Sequence, residues 1–213
     1  YIYYVASNKV FILNAFPAEN MEILSKIEFK DEQIYDIFLN DDKLIVFTNE
    51  YSVRILGESE KAQACASDVK GGCIMPEYNE PRTTIYIYDV SDRDAPKQKE
   101  KISLTGYYQN SRMIGDYVYV IANNYVYRDI VLPMIETNGN KKIIQAQDIS
   151  YIDTKDYSFQ YTLVVAVNIN NGETSEEVML SGNSQTIYVS QDNIYLTATQ
   201  YPNYFWGMPV TDE

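Results

Sequence analysis

The sequence predicts an all-β chain made of repeated strand-turn-strand units, and three observations carry that prediction. First, Gly115-Asp116 followed by Tyr117-Val118-Tyr119-Val120-Ile121 is a polar turn feeding an alternating β-branched and aromatic run, as a strand leaving a hairpin turn requires. Second, the same form recurs in Phe38-Leu-Asn-Asp-Asp-Lys-Leu-Ile-Val-Phe47 and in Tyr188-Val-Ser-Gln-Asp-Asn-Ile-Tyr-Leu-Thr197. The aspartates at 42, 116 and 192 thus stand 74 and 76 residues apart. Third, an independent strand motif keeps that spacing. Val10-Phe-Ile-Leu-Asn14, Ile85-Tyr-Ile-Tyr-Asp89 and Val164-Val-Ala-Val-Asn168 align without gaps, with their last positions 75 and 79 residues apart.

Each repeat can be written as strand a, turn, strand b, insertion, strand c, turn, strand d. Four consecutive antiparallel strands per repeat is the blade of a β-propeller, and a bare blade takes about 40–50 residues. Long b–c insertions bring it here to about 75. The strands count as b-c-d, a-b-c-d, a-b-c-d and a-b, a partial propeller of about three blades. Closed propellers have about four to eight blades, so either more blades lie outside this segment or sheet edges and apolar blade faces stay open and favour association. A long β-sandwich explains the alternation but not the doubled period.

In order, residues 1–5 and 9–14 are strands joined at Ser7-Asn8, 16–20 is a turn and 21–29 a third strand. Strands at 34–39 and 44–48 are the first copy of the opening motif. An insertion of about 50–84 follows, with Pro76 and Pro81 expected to stop regular pairing. Strands resume at 85–90 and 98–104, separated by the turn 91–96, and lead into the motif at 111–121. A second insertion, about 123–160, holds a hairpin whose arms are 130–136 and 141–146. Strands at 162–169, 177–180, 186–189 and 193–199 complete the pattern, and the tail from Tyr201 to Pro209 is aromatic and irregular.

Composition limits the function. Hydrophobic residues at 46% and charged residues at 22% describe a globular chain, and 21 tyrosines suit half-buried strands that keep a hydroxyl in water. The net charge of −13 argues against nucleic acid or an anionic membrane, both of which need clustered Lys and Arg. There is no histidine, which excludes Ser-His-Asp, Cys-His and His-metal chemistry from within this chain. No apolar run reaches the roughly 20 residues of a membrane helix. The chain opens in strand character without an initiating Met, so a longer protein is expected.

Ser111-Arg-Met-Ile-Gly-Asp-Tyr-Val-Tyr-Val120, Ile85-Tyr-Ile-Tyr-Asp-Val-Ser-Asp92 with Pro96, and Thr186-Ile-Tyr-Val-Ser-Gln-Asp-Asn-Ile-Tyr-Leu196 resemble archaeal secreted proteins with a C-terminal β-propeller domain, distant relatives of WD-repeat propellers. The resemblance extends over most of the chain, including Leu132-Pro133 and Tyr157. It implies an extracellular or cell-surface location and transfers no catalytic residue. If the location holds, Cys65 and Cys73, eight positions apart around Gly71-Gly72, are expected to close a disulfide loop.

Three constellations remain. Asp89, Asp92 and Asp94 place three acids in six residues, the composition of a Ca²⁺ loop, but the Gly and terminal Glu of an EF-hand are missing and a plain turn is the favoured reading. Asp148, Asp153 and Asp156 are discounted likewise. Tyr204-Phe-Trp206 with Tyr107-Tyr108 and Tyr125 have the chemistry of a sugar or peptide platform, although packing between blades is favoured. The expected function is a non-catalytic extracellular or cell-surface binding or scaffold module, meeting a protein or glycan partner through its insertions. The alternative is a carboxylate-based hydrolase or lyase on glycans or peptides, Ca²⁺-assisted in one version.

Overall fold

The computed structural model describes residues 1–54, 78–126, 130–151, 159–181, 183–190, 193–199, 204–205 and 208–209. Strands β1 (Ile2–Ala6), β2 (Lys9–Asn14) and β3 (Glu22–Glu28) form the first sheet, in that order. β4 (Gln33–Asn40), β5 (Lys43–Arg54), β6 (Tyr78–Asp89) and β7 (Lys97–Thr105) form the second as a consecutive antiparallel meander. β8 (Tyr107–Ile114) and β9 (Tyr117–Tyr125) begin the third. The hairpin β10 (Met134–Thr137) and β11 (Asn140–Ile143) then returns to the second sheet and pairs with β7. β12 (Ile149–Tyr151) runs parallel to β14 (Thr174–Ser181), which with β13 (Gln160–Asn168) completes the third sheet. β15 (Asn183–Val189) and β16 (Ile194–Thr199) start a fourth unit, and β17 (Tyr204–Phe205) pairs with β18 (Met208–Pro209) in the tail expected to be irregular. This is the b-c-d, a-b-c-d, a-b-c-d, a-b succession of a partial propeller.

Strand alternation makes each central sheet two-faced. In the second sheet Leu44 and Val46 pack with Val10, Ile12 and Ile27 of the first. Their neighbours Ile45 and Phe47, pointing the other way, pack with Val118, Val120, Val165 and Val167 of the third. Burying both faces between neighbours is how stacked repeats build a continuous core.

The innermost pairs carry an additional repeat. Strand a is bulged against strand b at Tyr35, Gln109 and Gln185, where one residue has no partner across the ladder. Those three bulges follow the 74- and 76-residue steps of the aspartates. A bulge sharpens local twist and re-aims the strand, so every repeat bends the same way at the same place.

The a–b turn works through its main chain. Val90 N–H donates to the Asp42 carbonyl at 2.8 Å, and Ile169 N–H donates to the Asp116 carbonyl at 2.9 Å. The repeated Asp therefore ties the a–b turn to the c–d turn of its own sheet by a backbone bond; Asp192 lies outside the described residues. Asp41 has φ +51° where the next repeat has Gly115 at +56°. Because a left-handed L-residue costs about 1–2 kcal/mol, less for Asp, Asp41→Gly is expected to raise unfolding free energy by up to about 1 kcal/mol in urea titration.

Two expectations are corrected. β5 and β6 stay paired out to Arg54 opposite Tyr78, so regular pairing runs further into the expected 50–84 insertion. Pro81 lies inside β6 opposite Tyr51 and does not stop the ladder. In an antiparallel strand a residue's N and O point to the same neighbour. The Pro81 oxygen accepts Gly106 N–H at 2.7 Å just beyond the end of β7, so the missing donor is on that side and β5 loses nothing.

Candidate functional site

The inner strands of the second and third sheets meet edge to edge. Asp36 accepts its own strand's Ile37 N–H at 2.9 Å through Oδ1. Its Oδ2 lies 3.3 Å from both the Tyr108 and the Ser111 hydroxyls, which are themselves 2.8 Å apart. Two hydroxyl protons serve three short approaches, so one is shared between the hydroxyls and the other goes to the carboxylate. Burial, with the Asp36 charge adding to it, pushes the Tyr108 hydroxyl up to about 12 despite the opposing hydrogen bond from Ser111. Asn49 completes the joint: its Oδ1 accepts the Tyr108 N–H and the Thr83 hydroxyl, both at 3.2 Å.

Gly106 makes the crossing from β7 to β8. It has φ +114°, and a Cβ there would sit 2.8 Å from the Asn123 carbonyl oxygen. Only glycine fits that close approach between neighbouring sheets.

Around this joint lies a tyrosine cluster. Tyr35, the bulge residue of β4, has its ring 5.3 Å from Tyr108, and Tyr51 meets Tyr107 edge-on at 6.2 Å. Tyr35 and Tyr51 are exposed, Tyr107 and Tyr108 half-buried, so ring faces and hydroxyls are offered to solvent from a rigid frame. Sequence reasoning placed Tyr107, Tyr108 and Tyr125 together but missed Tyr35 and Tyr51. The signal was present: Asn49-Glu-Tyr51 and Asn123-Asn-Tyr125 are one repeat step apart, and Tyr125 is likewise exposed. Tyr125 lies at the corresponding end of β9, one sheet further on, and Trp206 falls outside the described residues.

A family model described as Beta propeller domain matches residues 1–210. The chain belongs to the β-propeller domain family. No curated protein and no solved structure matches it.

In the propeller, blade two also carries a buried ionic group on the face turned toward blade one. Arg82 Nε donates to Glu80 Oε2 at 3.1 Å and its Nη1 to Glu136 Oε2 at 2.9 Å. The Thr105 hydroxyl lies 3.1 Å from Glu80 Oε1 and accepts Met134 N–H at 3.0 Å. Glu136 belongs to β10, so this group anchors the hairpin of the second insertion onto blade two. Nearby, Glu32 accepts the Thr48 and Tyr86 hydroxyls, and burial followed by the Glu32 bond pushes the Tyr86 hydroxyl up. These carboxylates are held by cations and hydroxyls.

The carboxylates of Asp89 and Asp92 are turned to partners within the turn and on the adjacent strand. Asp89 Oδ1 accepts the Ser91 N–H at 3.0 Å and hydroxyl at 2.7 Å, and Oδ2 pairs with Lys99 at 3.3 Å. Asp92 accepts the Asp94 N–H at 3.2 Å. No group of three or more Cys, Asp or Glu side chains arranged to hold a metal occurs among the described residues. Asp89 lines a cavity of about 410 Å³ between the turns of blades two and three, with Asp42, Lys43 and Lys99 on its walls and Ile87 and Ile169 beneath. Cys65, Cys73, Asp153 and Asp156 lie outside the described residues.

The two Ser91 bonds, then Lys99, hold the Asp89 carboxyl down at about 2. A carboxyl titration by NMR is expected to give that midpoint, and Ser91→Ala to move it toward the ordinary value of about 3.9. Because the folded value is the lower one, the contribution of Asp89 to stability is present above the unfolded pKa. It is lost as pH falls through the folded one.

Proposed function

We propose that this propeller is a non-catalytic extracellular or cell-surface binding module that meets a protein or glycan partner on the tyrosine surface around Tyr35, Tyr51 and Tyr107. The observation that carries the reading is the clustering of these rings at the joint of two inner strands, beside both b–c insertions. Tyrosine offers large contact area at low entropic cost, and loops on a rigid frame are where recognition concentrates. The Arg82 anchor supports it by holding the β10–β11 hairpin in one place. The extracellular location rests on the resemblance to secreted propellers. No helix among the described residues is long and apolar enough to cross a membrane.

The test is a glycan array and an array of extracellular peptides, probed with the wild type and with Tyr35→Ser/Tyr51→Ser, each with Ca²⁺ and with chelator. Binding lost in the double variant, with its fold unchanged by circular dichroism, is the expected result. Equal binding by both proteins would overturn the assignment. Release of cleaved product from any probe would favour the carboxylate-based enzyme, and a rise in unfolding temperature with Ca²⁺ would revive the metal site.

A further inference from the structure

The crevice between the turns of blades two and three holds two opposite charges that do not meet. Its walls come from the a–b and c–d turns and outer strands of blade two and from the c–d turn of blade three. Its volume of about 410 Å³ is that of a small-molecule site. Strand register sets the charged groups in place. Lys43 stands opposite Asp89, and one row deeper Ile45 stands opposite Ile87, which in turn faces Glu100. Both rows point toward blade three, where Ile45 and Ile87 are packed.

Most charges in the crevice are already paired. Asp42 holds Arg93 at 2.9 Å, and Asp89 divides its oxygens between Ser91 and Lys99. Two groups are left. The Lys43 side chain has no ion pair among the described residues. Glu100 accepts the Asn138 amide through Oε2, but no cation reaches it. The lysines on either side of it are used elsewhere, Lys99 by Asp89 and Lys101 by Glu50. Glu100 is nevertheless held in place: the c–d turn of blade three comes so near that a Cβ on Gly172 would lie 2.8 Å from its Oε2. Lys43 and Glu100 are two strands apart in the sheet, about 10 Å, and the crevice opens between them. A small molecule with one charge of each sign spans that gap and satisfies both. Ile87 and Ile169 line the same crevice with side chains that carry no polar atom.

We infer that this crevice binds a free α-amino acid with an apolar side chain, its ammonium on Glu100 and its carboxylate on Lys43. A charge-assisted hydrogen bond at each end fixes the orientation, and the apolar side chain rests on Ile87 and Ile169. The crevice lies at the Lys43 end of β5 and the tyrosine surface toward its other end, with Tyr51 about 27 Å along the strand. The two sites therefore stand or fall separately.

Isothermal titration calorimetry tests it, with L-leucine, L-valine and L-phenylalanine as probes. Saturable binding of at least one is expected. Its amide, which lacks the carboxylate, and its N-acetyl derivative, which lacks the ammonium, are each expected to bind about tenfold more weakly or worse, the scale of a hydrogen bond to a charged group. The variants should cross with these derivatives. Lys43→Met is expected to weaken the amino acid about tenfold and leave the amide unchanged. Glu100→Gln is expected to weaken the amino acid similarly and leave the N-acetyl derivative unchanged. The derivatives are measured on the wild type, so that arm reports whether or not a variant folds. No saturable binding of any probe up to about 10 mM would overturn the site. So would an amide or N-acetyl derivative that binds as well as the amino acid, or folded variants that bind as the wild type does.

Discussion

Replacing Arg82 by alanine is expected to lower the unfolding free energy by about 3–5 kcal/mol, the usual cost of removing one partner from a buried ion pair. Glu80 is fully buried and the Arg82 side chain 8% exposed, so the loss leaves carboxylate charge in a place where water does not replace the guanidinium. Arg82 also reaches Glu136, and the same substitution is expected to release the β10–β11 hairpin from blade two. Urea unfolding measures the first effect. Faster amide exchange at Ile135 and Glu136 measures the second. Arg82→Met combined with Glu80→Gln is expected to recover part of the loss, because no unpaired charge then remains at Glu80. An alanine variant within about 1 kcal/mol of wild type would show that the pair is screened by water.

Phe47→Ala is the second large effect, with an expected loss of about 3–5 kcal/mol. The ring is fully buried at the joint of blades two and three, edge-on to Phe38 at 5.6 Å and 5.9 Å from Tyr108. Deleting it removes the transfer contribution and leaves a cavity that strands pinned by the Asp36–Ser111 and Asn49–Tyr108 bonds cannot collapse to fill. Since each blade face is closed only by its neighbour, the loss falls on one joint. Hydrogen exchange is expected to quicken at Val118 and Val120 while Val10 and Ile12, at the other joint, stay protected. Uniform loss of protection at both joints would show the blades to unfold as a single unit.

Much of this architecture was legible as pattern. The 74- and 76-residue steps of Asp42, Asp116 and Asp192 reappear as the steps between the bulges at Tyr35, Gln109 and Gln185, because both mark one strand pair in successive blades. Alternation in Leu44-Ile-Val-Phe47 reported two buried faces, and the structure divides them between two neighbours. The proposed tyrosine surface was half legible. Tyr107 and Tyr108 stood out as a pair, but Tyr35 joins them only because a bulge turns it, and Tyr51 only because β5 runs on past Glu50. Asp89, Asp92 and Asp94 looked alike in sequence. Ser91 and Lys99 distinguish Asp89 from the others, and Lys99 approaches from the adjacent strand.

By itself the sequence determined the strand succession, the turns and the period, because these depend on neighbours a few residues apart and on the two-residue alternation of a pleated strand. The tertiary structure alone decided which edge the β10–β11 hairpin would join, whether Pro81 would interrupt pairing, and which blade faces are covered. Each of those depends on a partner tens of residues away. The hairpin's alternation suits any open edge, and β7 takes it because Ile135 enters the core on one side while Glu136 reaches Arg82 on the other. Pro81 is tolerated because its missing donor faces Gly106, beyond the end of β7. Leu44 and Val46 have the same alternation as Ile45 and Phe47, and only the arrangement of blades shows that the first pair packs on blade one and the second on blade three.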